Sequence, residues 1–301
     1  LPFSYCYGAS LLHTHLSVGG SLAICDTCAF PETVIEAIKR DECTGLAGVP
    51  STYQLLLRAS SIETTSLPSL RFLQQAGGRL PPSQLERLAA AQPQARLFVM
   101  YGATEATSRM SYLPPELLVE RRGSIGRGIP GVDLSLVDPT GQPVAPGAVG
   151  EIFARGDNIT KGYWQDPEGT AAKFVEGGLR TGDLARADED GFLYIVDRQA
   201  DFIKSWGIRV SSHEIEDAVV ALPGVSGAAA VGRPDESAGE SIVLFYVSAP
   251  ESDITPEEVL AHARTRLAKH LVPHEVRRVP ELPLNANGKV LKAELKALAI
   301  T

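Results

Sequence analysis

Apolar positions recur along this chain with two periods, and the changeovers between them outline its organisation. In the first third, Pro31 opens a pattern with Val34, Ile35 and Ile38 on one helical face. A strand-like Thr44–Val49 stretch follows. Pro81 starts a second helical pattern reaching Ala91, and Leu97–Met100 reads as a short buried strand. Strands alternating with helices point to a parallel sheet. From Gly123 to Asp197 the pattern changes. Glycine and proline are frequent, apolar runs are short, and Asp138-Pro-Thr-Gly141 and Asp190-Gly191 are turn signals. This predicts antiparallel hairpins, forming a barrel-like unit or a small sheet.

The last hundred residues return to mixed α and β. Ser211-x-x-Glu214 reads as a capping box opening a helix through Val220, and Thr255-Pro-Glu-Glu258 as a second cap. Strands are predicted at Ala228–Val231, Ile242–Val247 and Glu275–Val279, and the polar run Arg198–Lys204 reads as a linker. The fold class is therefore mixed α/β in three parts. Residues 1–122 form a partial βα sheet subdomain, 123–197 an antiparallel, β-barrel-like subdomain, and 198–301 a C-terminal α+β domain.

Composition narrows the function classes. The 301 residues are 44% hydrophobic and 21% charged, the balance of a globular protein. Net charge is −8, which gives no bulk attraction to nucleic acid or anionic lipid. No apolar run approaches the ~20 residues that a membrane span needs. Cys6, Cys25, Cys28 and Cys43 all lie early in the chain. Cys25-x-x-Cys28 has metal or redox spacing but lacks a second ligand pair, so reduced thiols of a cytoplasmic protein are the preferred reading.

Several motifs could carry chemistry. Gly126-x-Gly-x-x-Gly131 matches a dinucleotide fingerprint in letters only. Pro130 interrupts it and the alternating Val132–Val137 follows, so it reads as a glycine-rich turn. Tyr101-Gly102-Ala103-Thr104-Glu105 follows a predicted parallel strand, where open α/β sheets bind ligands. There a glycine allows close approach, a threonine offers a hydroxyl and a glutamate a hard oxygen for Mg²⁺. Arg180-Thr-Gly-Asp183 places a carboxylate after a tight turn, suited to a ribose diol. Arg198 ends a strand with a group that could bind a phosphate or a ribose oxygen. Asn285-Ala-Asn-Gly-Lys289 presents a lysine just before a short helix.

Their order is more informative than any one of them. After Tyr101–Glu105 come Gly150-Glu-Ile-Phe-Ala-Arg-Gly156, Gly162-Tyr-Trp164 with Thr170, and Arg180–Asp183. Then follow Asp190–Arg198, Ile203-Lys204-x-x-Gly207-x-Arg-Val210 with Glu214-Ile-Glu216, and Pro283–Lys289. This series closely resembles the adenylate-forming (AMP-binding) superfamily of acyl- and aryl-CoA synthetases, luciferases and nonribosomal adenylation domains. Leu1–Gly8 resembles its acid-pocket motif.

The resemblance implies an ATP-dependent acid–thiol ligase. A carboxylic acid would be activated to an acyl-adenylate and then passed to CoA or to the phosphopantetheine of a carrier protein. Gly77, Gly78 and Arg79 would form the adenine-side turn, with Tyr101 packing on adenine beside Gly102 and Ala103. Thr104 would contact the α-phosphate and Glu105 would hold Mg²⁺. Asp183 and Arg198 would take the ribose and phosphate, and Lys289 would bridge the acid and the α-phosphate. Tyr5, Thr52, Ala76, Gly77 and Gly102 would border the acid, with the small residues leaving room for it. The C-terminal part would be a mobile lid whose Lys204 and Gly207 face the thiol in a second pose.

Three departures from the family pattern stand out. The Ser/Thr/Gly-rich phosphate loop would lie ahead of Leu1, which implies a C-terminal portion completed by a separate N-terminal chain or segment and inactive alone. Tyr5 stands where a histidine is frequent. Ala200 stands at the usual hinge position, with Asp201 next to it. The competing class is a non-catalytic nucleotide- or acyl-binding regulatory module descended from such a ligase; acid-dependent ATP–pyrophosphate exchange separates the two.

Overall fold

The structure, a computed structural model, describes residues 1–25 and 30–300. Three five-stranded sheets follow one another along the chain. After helix α1 (Cys6–Ser17) and α2 (Glu32–Arg40), the first sheet is built from β1 (Gly45–Gly48), β2 (Phe72–Gln75), β3 (Arg96–Tyr101), β4 (Ser111–Leu113) and β5 (Arg127–Gly128). β1, β2 and β3 are parallel, and β4 and β5 add antiparallel. Helices α3 (Pro50–Ala59) and α4 (Pro82–Ala91) are the crossovers. The Val34, Ile35 and Ile38 face of α2 is buried, in a core shared with Tyr53, Leu56, Leu73, Leu88 and Leu97. The Tyr53 hydroxyl donates to the carbonyls of Leu46 and Gln74, so the tyrosine satisfies its polar end inside that core.

The second sheet is antiparallel. It contains β6 (Val132–Val137), β7 (Gly150–Gly156), β8 (Phe174–Val175), β9 (Gly178–Ala187) and β10 (Leu193–Arg198), with α5 (Pro167–Lys173) between β7 and β8. Its order β10-β9-β7-β6, with β8 on β9, leaves it open. It is thus a small sheet and not a closed barrel. β6 directly follows the glycine turn at 126–131, with no helix there, in keeping with the turn reading.

The third sheet holds β11 (Ile203–Ser205), β12 (Ile208–Val210), β13 (Val225–Asp235), β14 (Gly239–Ser248) and β15 (Glu275–Arg278), flanked by α6 (Ser212–Val220), α7 (Pro256–Arg266) and α8 (Lys292–Ile300). Ile215, Val219, Leu244, Tyr246 and Val259 fill one face, and Phe245, Leu295 and Ala299 the other. Thr255 and Glu258 make the reciprocal capping box. Ser211 does not. Its hydroxyl donates to the Val196 carbonyl, and the buried Asp197 carboxylate instead accepts from the Ser212 N–H at 2.7 Å. A charged acceptor from the preceding strand outcompetes the neutral local cap.

Among the described residues no helix is long and apolar enough to cross a membrane. Cys6, Cys25 and Cys43 are free thiols, and no group of three or more His, Cys, Asp or Glu among the described residues could hold a metal ion. Cys28 lies outside the described residues.

Candidate active site

A cleft of about 560 Å³ opens where the three sheets meet. Gly102, Ala103, Thr104 and Glu105 enter it from the loop after β3, and Lys173 from the end of α5. Thr181, Gly182 and Asp183 come from β9, and Arg198, Gln199 and Ala200 from the end of β10. Lys289 comes from the loop before α8.

Asp183 is the best-anchored of these groups. It is 7% exposed, its Oδ1 accepts from Arg198 Nε at 3.0 Å, and its Oδ2 accepts from the Tyr101 hydroxyl at 2.7 Å. The turn before it is fastened by Glu151, which accepts from the Gly182 N–H at 2.9 Å and from Arg180 at 2.8 Å. Asp183 in turn raises the Arg198 pKa, keeping that guanidinium charged.

Lys289 reaches the cleft because its loop is tied on both sides. Asn285 Oδ1 accepts from the Asn287 and Lys289 N–H groups, an Asx-type turn. Gly288, at φ +76°, rests on the start of α3, where a Cβ would stand 2.4 Å from Ser51 Oγ and 2.9 Å from a Val49 methyl. Burial, then the Arg198 charge, lowers the Lys289 pKa, while Asp183, Cys6 and Glu105 act the other way. A preorganised cation whose own solvation is reduced suits a transient anion.

Thr104 donates to Cys6 Sγ at 3.4 Å, and Glu105 Oε1 accepts from the Tyr163 hydroxyl at 2.6 Å. Tyr5, Ala76, Val49 and Met100 share a small core. Val49 also flanks Gly77 and Gly288, so it joins this cluster to the lysine loop.

The AMP-binding enzyme model matches residues 1–164, and the AMP-binding enzyme C-terminal domain model matches 214–289. The chain belongs to the AMP-binding enzyme family. It is 36% identical over 278 residues to a feruloyl-CoA synthase of Amycolatopsis sp, covering 92% of this chain and 56% of the relative. It is 37% identical over 280 residues to a long-chain-fatty-acid–CoA ligase of Escherichia coli O157:H7, covering 92% and 49%. The chain thus spans about half the length of these relatives. Amide bond synthetase McbA of Marinactinospora thermotolerans matches it with a TM-score of 0.89 at 32% identity, covering 100% of this chain and 60% of that one. o-Succinylbenzoate CoA synthetase of Bacillus subtilis, in complex with its acyl-adenylate intermediate, matches with a TM-score of 0.85 at 30% identity, covering 98% and 59%. The expected family and mixed α/β fold are therefore found.

Within this AMP-binding fold, several residues take places other than those expected. Tyr101 does not line the cleft. Its ring packs against the core of Ile152, Ala185 and Leu193, and its hydroxyl braces Asp183 from behind. The Arg79 guanidinium pairs with both oxygens of Asp217 on α6, which commits it to the C-terminal domain. Gly102 leaves no room on its Cβ side, where the Ser108 carbonyl would lie at 1.7 Å. At Gly77 the Tyr5 hydroxyl and Val49 fill that space, and Gly78 faces Pro50. Chain packing thus crowds the Cβ side of these three glycines. Thr52 sits on α3 against Gly48, outside the cleft lining. Lys204 and Gly207 are exposed on the β11–β12 hairpin and do not line the cleft in this orientation of the C-terminal domain.

Lys173, Gln199 and the bracing Glu151 were not legible as site residues. The ladder of the second sheet brings Gln199 and Glu151 to Gly182, since Gln199 donates its N–H to the Gly182 carbonyl and β7 pairs with β9, while Lys173 comes from the end of α5.

A Mg²⁺ site can be tested against this donor set. Mg²⁺ keeps several waters and takes one or two carboxylates plus substrate phosphates. Glu105 Oε2 accepts no hydrogen bond from the described residues and Glu105 lines the cleft with Thr104, so one hard oxygen is available. With no three-ligand cluster among the described residues, the fit is to a cation carried by a nucleotide.

Proposed function

We propose that this chain carries the nucleotide-binding face and the C-terminal lysine of an ATP-dependent acid–CoA ligase. The observation that carries the proposal is the convergence of Lys289 from the C-terminal domain with Thr104, Glu105, Asp183 and Arg198 in one cleft. Solved relatives with ATP or an acyl-adenylate bound support the same chemistry.

In the first half-reaction an acid carboxylate oxygen attacks the α-phosphorus of ATP. The bond to the β-phosphate bridging oxygen breaks, and pyrophosphate leaves with the electron pair. Asp183, held by Tyr101 and Arg198, accepts from the ribose hydroxyls. Thr104 donates to an α-phosphate oxygen. Lys289 lies between the phosphate and the acid, whose carboxylate end would sit beside Tyr5 and Val49. Its charge offsets the repulsion between two anions as they approach. Glu105 would hold Mg²⁺, which neutralises phosphate charge when bound.

In the second half-reaction a thiolate attacks the acyl carbon and AMP leaves. CoA is the favoured acceptor, because the similar curated relatives are CoA ligases. Lys204 and Gly207 would meet the thiol after the C-terminal domain rotates about Gln199–Asp201. The decisive experiment is acid-dependent ATP–pyrophosphate exchange across a panel of aryl and fatty acids with the full-length protein. Exchange followed by thioester formation with CoA is expected. Nucleotide binding with no exchange for any acid would favour a regulatory module.

A further inference from the structure

The Gly162-Tyr163-Trp164 segment and Thr170 have no role in the chemistry above, yet Tyr163 reaches Glu105 from this segment. The Tyr163 N–H donates to Thr170 Oγ1 at 2.9 Å, and that hydroxyl donates to the Asp166 carbonyl at 2.7 Å. Gly162, at φ +145°, lets the chain pass Thr170, whose methyl would lie 2.5 Å from a Cβ. The Tyr163 ring meets Phe174 edge-on, with centroids 5.3 Å apart. Held this way, its hydroxyl donates to Glu105 Oε1 at 2.6 Å, while the Thr160 N–H donates to the Glu105 carbonyl at 2.8 Å.

We propose that Tyr163 is a positioning residue for metal-assisted nucleotide binding: it fixes the Glu105 side chain through Oε1 and leaves Oε2 for the divalent cation of the nucleotide. The inference rests on the ligase reading above. A glutamate has three rotatable bonds, and on a short 3₁₀ turn (Thr104–Ala106) little else restrains it. Fixing one rotamer-rich side chain is worth about 3–10-fold in affinity. The effect belongs to the cation-dependent part of binding, because Tyr163 makes no hydrogen bond to Asp183, Arg198 or Lys289.

The test is calorimetric titration of the full-length protein with ATP, in EDTA and across a Mg²⁺ series, for wild type, Y163F, E105Q and the double variant. Y163F keeps the ring on Phe174, and thermal melts check its fold. The expected result is unchanged metal-free ATP affinity in Y163F with the half-saturating Mg²⁺ concentration raised about 3–10-fold. In the E105Q background the same change should have no further effect. Mn²⁺ binding followed by electron paramagnetic resonance should show the same order. Equal Mg²⁺ dependence in Y163F and wild type overturns the role of Tyr163 alone, as does an undiminished Y163F effect in E105Q. Absence of ATP binding by wild type overturns the ligase reading and this inference with it.

Discussion

Arg198 and Tyr101 grip the two oxygens of one carboxylate: Arg198 Nε donates to Asp183 Oδ1 at 3.0 Å and the Tyr101 hydroxyl to Oδ2 at 2.7 Å. Each oxygen keeps a second lone pair for a ligand hydroxyl. Hydrogen bonds to a charged group are worth about 1.5–3 kcal/mol, or roughly 10–100-fold in binding. Asp183→Asn should therefore raise the KM for ATP at least about tenfold with a smaller effect on the KM for the acid. Tyr101→Phe should raise it less, because the brace is lost and the acceptor kept. Initial rates of pyrophosphate exchange over an ATP series check both; equal changes in the two KM values would count against a nucleotide role.

The C-terminal domain is fastened to the first sheet's helices at a separate place. Arg79 pairs with Asp217 on α6, and Gln84 of α4 donates to the Ser226 carbonyl at 3.0 Å. Arg79 and Asp217 side chains are 25% and 27% exposed, so solvent screens part of the attraction. A double-mutant cycle with Arg79→Ala and Asp217→Ala should give a coupling of about 1 kcal/mol in unfolding free energy. If the pair also favours this orientation of the C-terminal domain, each single variant should become more sensitive to proteolysis between Arg198 and Phe202. Unchanged cleavage would confine the pair to stability.

How far these features were visible beforehand depended on range. The Val34, Ile35 and Ile38 stripe and the Thr255–Glu258 box were legible because their partners lie within one or two turns. The Ser211 box failed because Asp197, a stronger acceptor, arrives from another strand. Helix α1 has only Tyr7 and Gly8 buried and shows no apolar stripe, so periodicity passes over it. Arg79 was placed by motif position, but its partner lies 138 residues away. The cleft residues Thr104, Glu105, Asp183, Arg198 and Lys289 were legible through their ordered motifs, not through any local pattern. The bracing Glu151 was not, since only the β7–β9 pairing reveals it.

His213 makes acid stability testable. It is half-buried next to Asp197, with Nε2 3.8 Å from Oδ1, and Lys292 and Arg79 also act on it. Burial is the main cause that lowers its pKa to about 4 from 6.5. The unfolded chain therefore binds the proton first as pH falls, and stability drops between about pH 6.5 and 4, by up to about 1.4 kcal/mol per unit. Glu216, paired with Lys292 at 3.0 Å, has its pKa raised by burial and opposes this trend, because its proton uptake favours the folded state. The comparison of His213→Gln with wild type isolates the histidine. Melting temperature should fall less steeply from pH 7 to 5 in the variant; parallel curves would rule His213 out as the acid-sensitive group.

The placement of Lys289 depends on its neighbour, and two substitutions separate position from charge. Lys289→Ala removes the cation and should cost on the order of 10²-fold in adenylation, while thioester formation from supplied adenylate is largely spared. Because burial and the Arg198 charge lower the lysine's pKa, the alkaline loss of adenylation should set in below the ordinary lysine value of 10.5. Lys289→Arg, whose charge persists at high pH, should lack that limb whatever its absolute rate. Gly288→Ala keeps the lysine but places a methyl 2.4 Å from Ser51 Oγ at a φ of +76°, so the loop must lift off α3. It should depress adenylation and spare the thiol step, as Lys289→Ala does. Shortening Ser51 to glycine should relieve the contact and partly restore the rate, since the remaining clash is with a Val49 methyl at 2.9 Å. No recovery in the Gly288→Ala, Ser51→Gly double variant would assign the loss to the strained backbone instead of the contact with α3.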